Sequence, residues 1–452
     1  MLRDKKTRML RDAVTRRNFF AASAAGTAAG FAALADPGAA AAQSVGVKKS
    51  DLPDLTIKEV KVYLTDLGDV RRLNTTETGE IVAIVTNSGI EGNYPLGNRE
   101  RTTGWLEWAK PALVGKNVVD VLPTLNATSG MKSQAGFNTQ ARPGGGPTPR
   151  PGASAFVALP SRSGGAWPNY KAAAADICLW DILGKSVDRP IYKLLGGGTK
   201  DRMAAYASSL HLPYIEDYIP DALKAKEAGY KGYKIHPGRG QHKDGPEIPS
   251  YVGHMEEIRQ VRKALGDEFV IAHDPVQAYN RFEAMKVGHL LDELDYAWFE
   301  DPIRTADLEG LVDLAKALAL PLHVGEFLGS ISDFAEYIKQ DAIGVVRLIA
   351  DNVGGISGSM RVGMLADAFG LECTPHNWGN VLDLAVHFHL ELALPNAYWF
   401  EMPHTADLVD RPYHKDKIRI DKDGYVHAPT APGLGYPIDR DALDRITKRI
   451  DA

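Results

Sequence analysis

At 452 residues the chain is long enough for two domains, or for one large barrel with additions. Its 44% hydrophobic and 24% charged residues are ordinary for a globular protein, and a formal charge of −5 provides no basic surface for nucleic acid. The two cysteines, Cys178 and Cys373, exclude a disulfide scaffold and argue against a structural zinc site. Each lies in an apolar run, which is typical of a buried free thiol.

The N-terminus carries an export pattern. Arg16 and Arg17 precede Asn18-Phe19-Phe20 in a twin-arginine motif, and an alanine-rich apolar run with a possible cleavage site follows. We therefore predict a twin-arginine signal peptide over 1–42 and a periplasmic protein. No other stretch approaches the ~18 consecutive apolar residues of a membrane span, so no further membrane association is expected.

The segment 50–170 is predicted to form an α+β domain. Residues 55–63 and 80–87 alternate apolar and polar side chains as half-buried strands do, and 103–114 has a helical pattern. From 138 to 166 the chain is rich in Gly, Pro, Ser and Arg without periodicity, which indicates a surface excursion.

From residue 171 to 404 short apolar runs alternate with helical segments. Eight such runs, each followed by helix-like sequence, predict an α/β fold with a parallel (β/α)₈ TIM-type barrel. The predicted strands are 203–209, 232–236, 269–274, 296–301, 322–327, 345–351, 371–376 and 398–403. Residues 405–452 have no ninth repeat and are expected to return to the N-terminal domain.

Six consecutive runs end in residues that can bind a metal ion or move a proton. They follow one another at intervals of 25 or 26 residues, about one β/α unit, so all are expected at the carboxyl ends of their strands. This is the face of a barrel on which active sites are built. The six are Asp274, Glu300, Glu326, Asp351, His376 and Glu401.

The first three acids predict a metal site. Neighbouring carboxylates repel one another unless a cation lies between them, and hard oxygen ligands suit Mg²⁺, with Mn²⁺ as an acceptable substitute. Asp274, Glu300 and Glu326 are therefore the predicted ligands. His273 should point to the opposite face of its strand and is interpreted as structural.

The remaining groups predict proton transfer. An Asp351 carboxylate bonded to the His376 imidazole would make that histidine a general base. Lys234 and His236, two residues apart, should face the same side of the second strand, and either could be a second base. Such a site suits removal of the proton α to a carboxylate, because a bound cation stabilises the resulting enediolate.

These residues resemble the mandelate racemase subgroup of the enolase superfamily over roughly 55–404. The similar motifs are DICLWDILGK at 176–185, FEDP at 299–302, GE at 325–326, DNVGGISG at 351–358 and PHNWG at 375–379. The resemblance implies that Asp274, Glu300 and Glu326 bind the metal, that Asp351 and His376 form a dyad, and that Glu401 is the electrophilic acid. It also implies that the N-terminal domain caps the barrel. The subgroup often has Lys-x-Lys on the second strand, whereas this chain has Lys234-Ile235-His236.

The resemblance favours dehydration of a sugar acid to a 2-keto-3-deoxy acid. Racemisation or epimerisation of a 2-hydroxy acid is the alternative, and a non-catalytic periplasmic binding protein for sugar acids is a third hypothesis. The expected partner is a small carboxylate substrate. Because barrels of this kind often assemble, we also expect a homo-oligomer.

Overall fold

The computed structural model describes residues 53–67, 79–97, 99–128, 170–405 and 409–452. The predicted signal peptide and the Gly/Pro-rich excursion lie outside these ranges. None of the helices described is long and apolar enough to cross a membrane.

An antiparallel sheet is formed by three strands near the start of the described chain and one from its end. In chain order these are β1 (Ile57–Thr65), β2 (Ile81–Thr86), β3 (Glu91–Pro95) and β13 (Thr447–Asp451), arranged β13-β1-β2-β3. Every residue of β2 is buried, because the strand lies between β1 and β3 and beneath helices. The chain's C-terminus is thus bound to this sheet through the pairing of β13 with β1.

The second sheet contains the eight strands of the predicted barrel. They are β4 (Arg202–Ser208), β5 (Gly232–Ile235), β6 (Val270–His273), β7 (Trp298–Glu300), β8 (Leu322–Val324), β9 (Val345–Val346), β10 (Glu372–Cys373) and β11 (Trp399–Pro403). All neighbours among them are parallel, in the order β10-β9-β8-β7-β6-β5-β4-β11. A short strand, β12 (Tyr425–His427), lies antiparallel to β4. The predicted α/β barrel architecture is confirmed.

Helices follow the strands and pack on the outside of the curled sheet. The helices, in chain order, are α1 (Arg99–Leu113), α2 (Val118–Thr128), α3 (Tyr170–Ser186), α4 (Ile191–Leu194), α5 (Ile215–Glu227), α6 (Ser250–Leu265), α7 (Arg281–Glu293), α8 (Leu308–Ala317), α9 (Ile331–Lys339), α10 (Ala350–Val353), α11 (Gly355–Ala368), α12 (Val381–Ala393) and α13 (Arg440–Ile446). Asn280 and Asn380 begin α7 and α12 with capping boxes, which satisfy backbone N–H groups at the helix ends.

The sixth barrel strand is shorter than its apolar run predicts. The pattern places a strand over 345–351, but β9 ends at Val346 and α10 begins at Ala350. Asp351 therefore belongs to a helix and does not end a strand. This shift moves Asp351 off the strand end at which its pairing with His376 was predicted.

Candidate active site

The residues predicted to carry the chemistry come from six different strand ends. Lys234 lies in β5 and His236 follows it, whereas Asp274 follows β6 directly. The structure brings these three side chains together with Glu300 of β7 and Glu401 of β11. Because the strands are parallel, their carboxyl ends meet at one mouth of the barrel.

Lys234 is enclosed by carboxylates. Its Nζ lies 3.1 Å from Asp274 Oδ2, 2.8 Å from Glu300 Oε1 and 2.7 Å from Glu401 Oε1. Burial and Arg347 lower the pKa of Lys234, but the three carboxylates outweigh them and hold it well above its ordinary value. The side chain is completely buried, so in this structure Lys234 is a cation fixed by its three carboxylate partners.

Arg347 is a functional residue that the sequence analysis did not identify. It follows β9 and is completely buried, with Nε 2.5 Å from Glu300 Oε1 and Nη2 paired with Glu401 Oε2. Its Nη1 donates to the Tyr206 hydroxyl at 3.2 Å. A signal was available, since an arginine inside the apolar run 345–350 is seldom buried without a partner.

Glu401, the predicted electrophilic acid, is a counter-ion of Lys234 and Arg347 in this structure. Besides Lys234 and Arg347, it accepts hydrogen bonds from Ser208 Oγ at 2.7 Å and the Asn377 backbone N–H at 2.9 Å. Burial alone would raise the pKa of Glu401, but Arg347 and Lys234 hold it well below its ordinary value.

The predicted Asp351–His376 dyad is not formed. Asp351 lies on α10 and accepts a hydrogen bond from the Tyr94 hydroxyl of β3 at 2.8 Å. No hydrogen bond or ion pair joins Asp351 to His376 in the described part of the chain. The run of apolar residues predicted a strand that ends at Asp351, whereas β9 ends five residues earlier, at Val346, and Asp351 lies on α10.

His376 is bordered instead by a predicted metal ligand. Its Nε2 lies 3.5 Å from Glu326 Oε2, and about a fifth of its side chain is exposed at the barrel mouth. Burial lowers the pKa of His376 well below its usual value, so the imidazole is neutral at neutral pH.

His236 has a different hydrogen-bond environment. Its Nδ1 lies 2.7 Å from the Ser209 carbonyl oxygen, which can only accept, so Nδ1 carries a proton. Its Nε2 lies 2.9 Å from Asp274 Oδ2.

His273 faces away from this group, on the outer side of β6. Its Nε2 lies 2.8 Å from the Tyr279 hydroxyl, which also contacts His254 Nδ1 at 2.8 Å. The structure thus places His273 among buried side chains behind the strand.

The mouth is rich in acids that cations do not fully balance. Asp301, next to Glu300, is completely buried, and neither of its carboxyl oxygens has a hydrogen-bond partner among the described residues. Burial together with Glu326, Asp274 and Glu300 raises the pKa of Asp301 well above its ordinary value. Such an unsatisfied buried acid beside other carboxyls fits a site that takes up a cation.

The donor chemistry suits Mg²⁺, but the ligands are not assembled. In the ranges described, no three side chains of His, Cys, Asp or Glu are grouped so that they could hold a metal ion. Two of the three predicted ligands, Asp274 and Glu300, are engaged by Lys234. All three supply oxygen atoms only, which a hard divalent cation prefers.

Comparison with known proteins places the chain in a family. Residues 218–442 match the sequence model described as "Enolase C-terminal domain-like". Arabinonate dehydratase of Saccharolobus solfataricus is 33% identical over 272 residues, which cover 59% of this chain and 69% of that relative. L-talarate/galactarate dehydratase of Salmonella typhimurium is 30% identical over 270 residues, which cover 59% of this chain and 63% of the relative.

Solved structures show the same fold over nearly the whole described chain. D-glucarate dehydratase from Agrobacterium tumefaciens, crystallised with magnesium, has a TM-score of 0.69 at 25% identity and covers 88% of this chain and 100% of its own. The 3,6-anhydro-D-galactonate cycloisomerase from Zobellia galactanivorans has a TM-score of 0.68 at 22% identity, with 87% and 100% covered. With its barrel, its N-terminal sheet and these relatives, the chain belongs to the enolase superfamily.

Proposed function

We propose that the protein is a Mg²⁺-dependent dehydratase that converts a sugar acid to a 2-keto-3-deoxy acid. The observation that carries the proposal is the pair of histidines at the acidic mouth: His236 Nε2 lies 2.9 Å from Asp274 Oδ2, and His376 Nε2 lies 3.5 Å from Glu326 Oε2. The relatives support it, since their names describe dehydratases of arabinonate and of talarate and galactarate.

The cation would be held by Asp274, Glu300 and Glu326. When bound, it would stabilise the negative charge that develops on the substrate carboxylate. Lys234 must then release its contacts to Asp274 and Glu300, and its charge remains beside them to hold the same region of the substrate.

His376 takes the proton from the α-carbon in this scheme. The electron pair of the broken C–H bond forms the C2–C3 double bond as the β-hydroxyl leaves. His236 donates its Nε2 proton to that oxygen, so that water departs. The enol product tautomerises to the 2-keto acid, which balances atoms and electrons without a redox partner.

The test is a panel of acid sugars incubated with Mg²⁺, with keto-acid formation as the readout. The panel contains arabinonate, galactarate, gluconate, galactonate and mannonate, the acids named for relatives. In deuterated water, dehydration yields a keto acid. Recovered substrate with an exchanged and inverted α-carbon would instead support the racemase alternative. Tight binding without any exchange would support a binding protein.

Two variants test the assigned roles. Glu326→Gln is expected to lose Mg²⁺ binding and turnover together. His376→Asn is expected to abolish turnover and leave Mg²⁺ binding intact. Wild-type turnover by His376→Asn would refute its role as the base.

We also infer that the protein is exported by the twin-arginine pathway. The inference rests on the sequence around Arg16 and Arg17, which lies outside the described residues. Cell fractionation should find the wild-type protein in the periplasm and the Arg16→Lys, Arg17→Lys double variant in the cytoplasm. Light scattering of the exported protein would test the expected homo-oligomer.

A further inference from the structure

The backbone that leads to His376 rests on a buried arginine. Arg347 Nη1 donates to the carbonyl oxygens of Thr374 and Pro375, both at 3.3 Å. These are the two residues immediately before His376. The same segment is tied to the sixth strand by Thr374 N–H to Val346 O, 2.9 Å.

Arg347 is itself held by two carboxylates and by a hydroxyl group. Nε contacts Glu300 at 2.5 Å, Nη2 pairs with Glu401, and Nη1 donates to the Tyr206 hydroxyl at 3.2 Å. The guanidinium is completely buried, so water cannot replace these partners. A planar group with five N–H donors in a rigid fork can hold several acceptors at once, which an ammonium on a flexible stem cannot do.

A general base needs a fixed position, and His376 does not obtain it from an acid on its ring. Asp351 is bonded to Tyr94, and Glu326 lies 3.5 Å from Nε2, beyond a strong hydrogen bond. The contacts that remain to fix the residue are those to its backbone. They include its own N–H, which donates to Leu348 O at 2.9 Å.

We propose that Arg347 is the positioning residue for His376, which it holds through the carbonyl groups of Thr374 and Pro375. This inference rests on the proposed function, in which His376 is the base. Arg347 thus supplies from the sixth strand the orientation that an acid on that strand was expected to supply. Since misplacing a reacting group by about 1 Å can cost about a hundredfold in rate, the backbone contacts bear directly on turnover.

Arg347→Lys separates the two functions of the side chain. A lysine retains the positive charge beside Glu300 and Glu401 but cannot also reach both carbonyl oxygens. We expect kcat to fall at least tenfold, with KM and Mn²⁺ affinity within about threefold of wild type. Mn²⁺ binding is measured by electron paramagnetic resonance, and turnover with the panel acid that reacts fastest.

Arg262 provides a matched control. It is also buried and donates to four backbone carbonyls, those of Leu294, Gly266, Phe269 and Asp295, at 2.7–2.9 Å. None of these belongs to the active site. Arg262→Lys should therefore lower the melting temperature while kcat per folded molecule stays at the wild-type value.

The outcomes separate this inference from the proposed function. Wild-type kcat in Arg347→Lys, or equal losses of kcat in the Arg347 and Arg262 variants, would overturn the positioning role. If Arg347→Lys does not fold, Tyr206→Phe is used as the test variant. This substitution removes the hydroxyl group that accepts a hydrogen bond from Arg347 Nη1. A two- to fivefold loss of kcat is then expected, and wild-type kcat overturns the inference. Turnover by His376→Asn would refute both the proposed function and this inference.

Discussion

Glu401 shows how a single buried charge depends on its neighbours. It is completely buried and accepts from Lys234, Arg347, Ser208 and the Asn377 backbone. Taking ions out of water is costly, and the cost is offset only when each ion has well-placed partners. Two cations here share this one ionised acid, so its charge matters more than its hydrogen-bonding capacity.

Glu401→Gln should therefore be strongly destabilising. The amide has nearly the same shape but removes the one carboxylate that Lys234 and Arg347 share besides Glu300, and removing one partner of a buried ion pair costs about 3 to 5 kcal/mol. Urea unfolding measures the loss, with Glu309→Gln, at a side chain 93% exposed, as the control expected to change little. A loss below about 1 kcal/mol would mean that Glu401 is protonated, as an electrophilic acid would be.

Asp301 presents the opposite case, a buried acid that lacks partners in the described structure. We expect Asp301→Asn to raise the melting temperature in chelator at alkaline pH, where the acid ionises against Glu326, Asp274 and Glu300 and the amide carries no charge. The rise in melting temperature on adding Mn²⁺ should be smaller in the variant than in wild type, since a ligand stabilises only as far as it binds. Differential scanning fluorimetry with and without Mn²⁺ gives both values, and unchanged values in both conditions would contradict a link between Asp301 and the cation.

At the scale of elements, the sequence located the strands better than their ends. Eight apolar runs predicted eight parallel strands because a strand buried on both faces needs continuous apolar residues. Such a run does not show where the backbone leaves the sheet, so the sixth strand was extended over the first residues of α10. That error assigned Asp351 to the site and passed over Arg347, whose partners Glu300 and Glu401 are distant in sequence.

Asp176 links α3 to α11, because its side chain on α3 caps the N-terminus of α11. It lies on α3, and its Oδ2 accepts the Ser357 backbone N–H at 3.0 Å in the first turn of α11. A carboxyl group is favoured at a helix N-terminus, yet burial raises the pKa of Asp176 to about 7. The same contact that docks α3 on α11 thus depends on pH.

The contribution of Asp176 to the stability of the protein should fall as pH rises from about 4 to about 7. In this range the unfolded chain releases the Asp176 proton before the folded chain does, so the contribution is complete below pH 4 and lost above pH 7. The difference between 3.8 and about 7 corresponds to about 4 kcal/mol. Urea midpoints measured at several pH values should rise for Asp176→Asn relative to wild type between about pH 4 and pH 7, whereas Asp423→Asn, at an exposed position, should match wild type at every pH. An identical pH dependence in all three proteins would contradict the assignment.

At the scale of the whole molecule, α3 connects the antiparallel sheet to the barrel layer. Trp180 Nε1 donates to Ser357 Oγ of α11 at 2.8 Å, and the opposite side of the helix meets β3. On that side Gly92 approaches so closely that an added Cβ would lie 2.0 Å from the Cys178 carbonyl oxygen. Two residues along the same strand, Tyr94 donates to Asp351 of α10 at 2.8 Å. The packing of β3 on α3 therefore fixes the position from which Tyr94 bonds to α10.

Gly92→Ala tests whether this close contact couples stability to activity. The methyl group must displace either the strand or the helix, because it would meet backbone that no side-chain rotation can move, and overpacking costs about 1 to 3 kcal/mol or more. We expect a lower free energy of unfolding together with a reduced kcat/KM, since Tyr94 moves with the strand. Gly245→Ala is the matched control, as its added Cβ would meet only an ordinary contact at 3.5 Å. A Gly92→Ala protein as stable and as active as the control would show that the sheet does not depend on this packing for its place beside the barrel.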